Sequence, residues 1–370
     1  MKSGGLARAL LRGTRRLGAP GARVGAIGLE LAWEGLRAVQ LERKAAGLGV
    51  RATARAPWPG QPEVLLGSDE AVRNFVRTSL RAATFCGRRI VTAMPPGGVK
   101  LMALGYRSDA GDTDDSARIL ELVGERVREN LSDLVVDYQP VRTNAEKHGE
   151  KSALVAVARR EEVIAHLERL RAAGLRVEAL EIAPAAIRRL VDRIETGARE
   201  QTLVVIHGDG PSSALLVLWG RRLILYRELE FSETAAMGRV AKQLDLEADA
   251  ARSLLETHGV GAATGAPTGQ APDVAGAIRE IVKPDLYALA EEVRRAAIHT
   301  AAQTHGAAID GIRLLGGCGH WPGVADFLSE EVSIEALPLD PLAGFRAGGT
   351  PASVAFATVT GLALRDFGTS

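Results

Sequence analysis

Cysteine is nearly absent from this 370-residue chain: Cys86 and Cys318 are its only two, far apart and in no C-x-x-C pair. A disulfide framework is excluded, and the expected state is two buried, reduced thiols in a cytoplasmic protein. Aromatic residues make up 4%, too few for the stacking platforms that single-stranded nucleic acid prefers. Neither sign of charge dominates. The formal net charge is +1, which gives no overall pull toward nucleic acid or anionic lipid, and no nucleic-acid partner is expected. Long apolar runs are missing as well. The longest, 214–219 and 223–226, are interrupted by Gly220, Arg221 and Arg222 and fall short of the roughly 18 residues a membrane span needs. The seven histidines, His148, His166, His207, His258, His299, His305 and His320, show no H-E-x-x-H or other ligand spacing. His207 stands near Asp209, yet no G-x-S-x-G nucleophile motif accompanies it. These patterns point to no metal site and no catalytic residue.

What is present is a core. Hydrophobic residues make up 46% and charged residues 25%, a globular composition. The length suits two or three domains, or one large two-lobed fold. One asymmetry is local: the leader, residues 1–23 with Val24 after it, carries Lys2, Arg8, Arg12, Arg15, Arg16 and Arg23 and no acid. Leu6, Leu10, Leu11 and Leu17 are interspersed, without the continuous apolar centre of a secretory signal. It reads as a disordered start or as a short basic amphipathic helix on an anionic membrane surface.

Periodicity organises the rest. AIGLELAWEGLRAVQL, residues 26–41, alternates as a hairpin with a turn at Glu34-Gly35. Strands are predicted over 24–29, 35–42 and 50–56, then a helix over 69–84 on the spacing of Val72, Phe75, Val76, Leu80 and Ala83. A buried strand over 89–94 is stopped by Pro95, Pro96, Gly97 and Gly98, a predicted subdomain boundary. In the α+β segment that follows, Asp112, Asp114 and Asp115 place negative charge at a helix start. Strands over 133–141 and 152–158 lead to a helix ended by Gly174. Strands over 203–206, 214–219 and 222–228, with a Gly208-Asp209-Gly210-Pro211 turn, echo the first hairpin in their order. Helices begin near Thr234, and residues 258–276, rich in Gly, Ala, Thr and Pro, read as a mobile loop. Leu286, Leu289, Val293 and Ala297 mark a long helix, and a strand over 311–315 meets the glycine turn GGCGHWPG, 316–323. Two strand-rich halves, each opened by a tight hairpin and followed by helices, describe a duplicated α/β fold. Such folds clamp a ligand between lobes.

Three stretches carry a family resemblance. IRLLGGCGHWPGVADFLSEEVSIEALPLDPLAGF, 312–345, resembles the adenosine-side motif of the actin-like ATPase superfamily. VAVARREEVIAHLERLRAAGLRVEALEIAPAAIRRLV, 155–191, resembles the segment leaving the inserted subdomain of the pilus assembly protein M (PilM) family. ASVAFATVTGLALR, 352–365, is similar to that family's closing helix, and LSDLVVDYQPVR, 131–142, to its strand and acidic turn. The similarity covers nearly everything from Val24 onward. It implies a duplicated actin-like (ribonuclease H-like) two-lobed α/β fold with an inserted α+β subdomain. The first lobe would be 24–97, 175–201 and 346–370, the insertion 98–174, and the second lobe 202–233 and 285–345, with a helical subdomain over 234–284. It also implies an FtsA-like cytoplasmic protein, peripheral to the inner membrane. Such a protein holds the cytoplasmic N-terminal tail of a PilN-like protein and links it to the pilus assembly machinery and its motor.

The superfamily binds phosphates with two glycine-bearing hairpins, and carboxylates hold the magnesium. The family's first hairpin reads Asp, any residue, Gly, then Ser or Thr. Here Glu30, Ala32 and Trp33 take the acid's, the glycine's and the hydroxyl's places. The Glu30 carboxylate sits one methylene further out, Ala32 closes off φ > 0, and Trp33 fills space left for phosphate. In the second hairpin, alignment on Gly208 puts Ile206 in the acid's place; alignment on Gly210 leaves Asp209 one residue before the glycine instead of two. Ser212 and Ser213 offer hydroxyls to a phosphate or satisfy their own turn. Gly316, Gly317 and Gly319 let backbone approach an adenine or ribose, or only make a turn. The implied cofactor-binding set is Glu30, Gly208, Asp209, Gly210, Ser212, Ser213, Gly316, Gly317 and Gly319, for ATP with magnesium bound weakly and without hydrolysis. An adaptor is the leading reading. A small-molecule kinase on the same fold would need an intact first hairpin. An FtsA-like polymer-forming anchor would carry an amphipathic helix at its C-terminus, where 365–370 is short and polar. A type II secretion L-like domain would require a following span.

Overall fold

A computed structural model describes residues 23–45, 47–61, 65, 67–95, 97–107, 115–141, 150–195, 201–261, 274–345 and 353–368. Residues 1–22 of the basic leader, Asp112, Asp114 and most of the stretch expected as a loop over 258–276 lie outside the described residues. The chain divides into two compact units, one drawn from residues up to 196 and from 341 onward, the other from 197–340.

The first unit runs β1 (Arg23–Ala32), β2 (Gly35–Lys44), β3 (Gly47–Pro57), α1 (Asp69–Arg81), β4 (Arg89–Ala93), β5 (Lys100–Arg107), α2 (Ser116–Arg126), β6 (Leu134–Val141), β7 (Glu150–Arg159), α3 (Arg160–Ala172), β8 (Arg176–Glu181) and α4 (Ala183–Ile194). The second runs β9 (Thr202–Asp209), β10 (Ser212–Trp219), β11 (Arg222–Leu229), α5 (Glu233–Gln243), α6 (Ala248–His258), α7 (Val274–Gln303), β12 (Gly311–Leu315), α8 (Val324–Val332) and β13 (Ala336–Pro338); α9 (Ala357–Ala363) returns to the first unit.

The main sheets have the orders β3-β2-β1-β4-β8 and β11-β10-β9-β12-β13. In each, an antiparallel three-stranded meander is followed by two parallel strands. The echo seen in the order of the hairpins is therefore a duplicated topology. A third sheet, β5-β7-β6, is separate and has its own core of Leu104, Tyr106, Ile119, Val123, Leu134, Ala153, Val155 and Val157.

Alternation along β1 builds the first core. Ile27, Leu29 and Leu31 fall on one face, where they join Val72 and Val76 of α1 and Leu170 of α3. Each such side chain, fully buried, contributes about 1.5–3 kcal/mol. On the opposite face α9 packs. A Cβ on Gly361 would stand 2.0 Å from the Ala186 carbonyl oxygen, so only glycine lets α9 approach α4 this closely. Glu181, 1% exposed, takes two bonds of 3.0 Å from Arg189 and one from Arg365. That cluster ties the end of β8 to α4 and to the turn after α9.

Helix ends follow local chemistry. The Ser68 hydroxyl accepts the Ala71 N–H at 3.3 Å to open α1, with Asp69 and Glu70 in its first turn. Gly174, at φ +84°, closes α3: the N–H of Leu175 reaches the Leu170 carbonyl at 3.2 Å and that of Gly174 the Arg171 carbonyl at 2.9 Å. Asp115 does not cap α2 through its side chain. It stands at the N-cap of α2, so negative charge lies at the helix start as expected, and its carboxylate accepts the Tyr106 hydroxyl at 2.9 Å and the Lys151 ammonium at 3.0 Å. Cys318 is buried, but Cys86 is exposed, contrary to the expectation of two buried thiols. Gln40 holds both backbone groups of Cys86, at 2.7 and 2.8 Å, which fixes the chain there and leaves the thiol outside.

Candidate functional site

The expected site residues fall in both units. In the first, the β1–β2 register pairs Ala32 with Gly35, so the turn is Trp33-Glu34, one residue earlier than predicted. Ala32 is the last residue of the strand and is not at positive φ, so the strain expected of an alanine there does not arise. The Trp58 indole N–H donates to the carbonyls of Ala32 and Trp33, 3.1 Å each, and fixes the turn from behind.

Glu30 is buried, 3% exposed. Across the strands it faces Arg37, whose guanidinium lies 3.9 Å from its carboxylate. Arg37 also binds Glu34 at 2.9 Å, and Arg55 binds Glu34 at 2.8 Å. Burial would raise the Glu34 pKa, but its bonds and charge interactions with Arg55 and Arg37 outweigh it and hold the carboxyl below its ordinary value. The acid expected on the metal side thus faces a resident cation. Sequence reading missed Arg37, although counting outward across a two-residue turn places it opposite Glu30.

In the second unit, three of the expected glycines, Gly208, Gly210 and Gly317, converge on one residue that was not expected: Glu233, the first residue of α5 and 6% exposed. Its Oε1 accepts the Cys318 N–H at 2.7 Å, and its Oε2 the Gly210 N–H at 3.4 Å. A Cβ on Gly208 would stand 2.4 Å from Oε1, and one on Gly317 3.0 Å from Oε2. Gly316, at φ +93°, lies where a Cβ would meet the Gly208 carbonyl oxygen at 1.8 Å. Gly319 packs instead against Leu314 and belongs to the turn.

The Gly210-Pro211 turn, with Gly210 at φ +62°, is clasped to the start of α5. The Gly210 carbonyl accepts the Ser232 hydroxyl at 3.2 Å and the Thr234 N–H at 3.1 Å. Ser232 also caps α5 by accepting the Ala235 N–H at 3.1 Å. Both polar groups of the Gly210 peptide N–H and C=O pair are thereby engaged within the unit. Asp209 is half-buried and Ser212 exposed. Ser213 is buried opposite Gly208, and its hydroxyl has no hydrogen-bond partner among the described residues. Of the signals in the letters, Ser232 before Glu233 reads as a helix start, but nothing local shows that the carboxylate turns inward.

Burial raises the Glu233 pKa, hydrogen bonds from the Cys318 N–H and thiol oppose it, and the Asp209 charge adds to it; the net result lies above the ordinary carboxylate value. Burial, then the Glu233 charge and a hydrogen bond to Glu233, push the Cys318 thiol well above its ordinary value, so it is no nucleophile. Among the described residues no three His, Cys, Asp or Glu side chains group as a metal site, and no helix is long and apolar enough to cross a membrane.

Comparison with solved structures shows the fold. A PilM-PilN type IV pilus biogenesis complex matches with a TM-score of 0.74 and 22% identity, over 94% of this chain and 99% of that one. MreB 5 of Spiroplasma citri bound to AMPPNP matches with a TM-score of 0.50 and 9% identity, over 92% and 95%. The fold is the two-lobed actin-like one. No curated protein sequence matches the chain. The family model of type IV pilus assembly protein PilM matches residues 28–367, and the chain belongs to that family.

Proposed function

We propose that this chain is a docking platform of type IV pilus biogenesis. It binds the cytoplasmic N-terminal tail of a PilN-like inner-membrane protein and links it to the assembly machinery and motor, without hydrolysing ATP. The observation that carries this reading is the family match over 28–367. The fold neighbour is itself a PilM-PilN complex. In this reading the protein lies on the cytoplasmic face of the inner membrane.

Two features of the chain support it. The residues at the phosphate hairpins do not fit magnesium and ATP: Glu30 faces Arg37, and the Gly210 N–H donates to Glu233. The insertion, by contrast, carries a small sheet with its own core and two edges. Pro140 withholds one N–H from β6, while β5 keeps a full set of donors. An extended tail adds to such an edge by backbone pairing, with pockets for alternate side chains giving choice.

The test is calorimetry with a synthetic peptide of the cytoplasmic tail of a PilN-like protein from the same organism. The peptide binds the full chain. It does not bind a variant in which residues 99–158 are replaced by a short Gly/Ser linker. That replacement keeps α3, whose Leu170 belongs to the first core, and circular dichroism checks its fold. Equal binding by both proteins places docking outside the insertion.

A further inference from the structure

The glycine-rich elements that the actin-like fold offers to a nucleotide already surround an anion in this chain, and it is a side chain. We propose that Glu233 is a built-in anion that occupies the phosphate position of the second hairpin and closes the nucleotide site from within. This deepens the reading of the protein as a platform without ATP turnover.

Two backbone N–H groups point at the Glu233 carboxylate, from the hairpin turn at Gly210 (3.4 Å) and from the loop after β12 at Cys318 (2.7 Å), and the Cys318 thiol adds a hydrogen bond. Backbone N–H groups from two turns converging on one point make an anion nest. The start of α5, where Glu233 sits, adds the positive end of a helix dipole.

Shape gives the same answer. The carboxylate rests against the Cα positions of Gly208 and Gly317, where side chains would stand 2.4 and 3.0 Å from its oxygens. Those glycines leave room for one carboxylate in a space that a phosphate would otherwise enter. A phosphate arriving there meets a filled volume and a like charge.

The surroundings hold the acid in place. Ser232 and Thr234, on either side of Glu233, both grip the Gly210 carbonyl, so the carboxylate is fixed at its root as well as at its tip. Ser213, paired across from Gly208, shares the sheet face of Gly208, and its buried hydroxyl has no partner among the described residues. With Glu233 removed, that hydroxyl becomes a third donor to an incoming anion.

Calorimetry on the full chain tests this with ADP, inorganic phosphate and adenosine as separate titrants, for wild type, Glu233→Ala and Glu233→Gln. ADP and phosphate bind Glu233→Ala at least about 10-fold more tightly than wild type; adenosine shows no such gain. Glu233→Gln keeps the volume and removes the charge, and it too binds ADP more tightly than wild type. This second variant decides the matter if circular dichroism shows Glu233→Ala unfolded. Wild-type affinity in a folded variant overturns the proposal, as does ADP binding that wild type has and Glu233→Ala loses, which would make Glu233 a nucleotide ligand. An equal gain for adenosine also overturns it, since the gain would then lie off the phosphate position. Tail-peptide binding, measured on the same proteins, reports on the docking reading separately.

Discussion

His166 makes the first unit acid-sensitive. It lies on α3, 2% exposed, with Nε2 3.4 Å from the Thr92 hydroxyl. Burial, helped by the nearby Arg169 charge and opposed by a hydrogen bond with the Ala93 backbone, lowers its pKa from 6.5 to about 4. Between those values the unfolded chain binds a proton that the native state refuses. The stabilisation is therefore fully present above 6.5 and is lost as pH falls through the folded pKa. At about 1.36 kcal/mol per pH unit, the full gap is worth about 3 kcal/mol. Urea titrations by circular dichroism between about pH 7.5 and pH 4 measure it, on wild type and on His166→Gln, which does not titrate. Other acids titrate alike in both proteins, so the difference isolates His166. Wild type loses about 3 kcal/mol more than the variant across that range. Parallel curves would refute the reasoning.

Gly316→Ala puts a side chain at φ +93° and 1.8 Å from the Gly208 carbonyl oxygen; thermal melts should show at least about 2 kcal/mol of destabilisation, and an unchanged melt would contradict the close approach. Phosphate release with Mg-ATP should match buffer and stay there in Glu30→Gln; turnover that this substitution abolishes would show a working metal side. The leader's basic residues should give weak, salt-sensitive attachment to anionic liposomes, about 1 kcal/mol each near the surface. Equal co-sedimentation of a variant lacking residues 1–23 would remove that role.

β1 and β2 were legible as strands because a sheet buried on both faces leaves a near-continuous small and apolar run, in which Ile27, Leu29 and Leu31 mark one face. Helical spacing likewise showed α1 and the long α7, and Gly174 showed where α3 stops. What failed was anything set by partners far along the chain. The Lys151 partner of Asp115, on β7, was not foreseen. Cys86 was expected inside, but Gln40 holds its backbone at the surface. The candidate site was half legible. Of the nine residues expected to hold a cofactor, Gly208, Gly210 and Gly317 meet at Glu233, and Gly316 packs on Gly208. Glu233 was not among the nine, because its carboxylate meets Cys318, 85 positions further on, and only the fold brings those two turns together.

The central claim is a platform whose docking does not depend on nucleotide. Calorimetry of the PilN-like tail peptide against the full chain, run with and without saturating Mg-ATP, tests it most directly. The dissociation constant should be the same in both titrations. Binding that appears only with Mg-ATP, or that tightens with it about 10-fold or more, would contradict it.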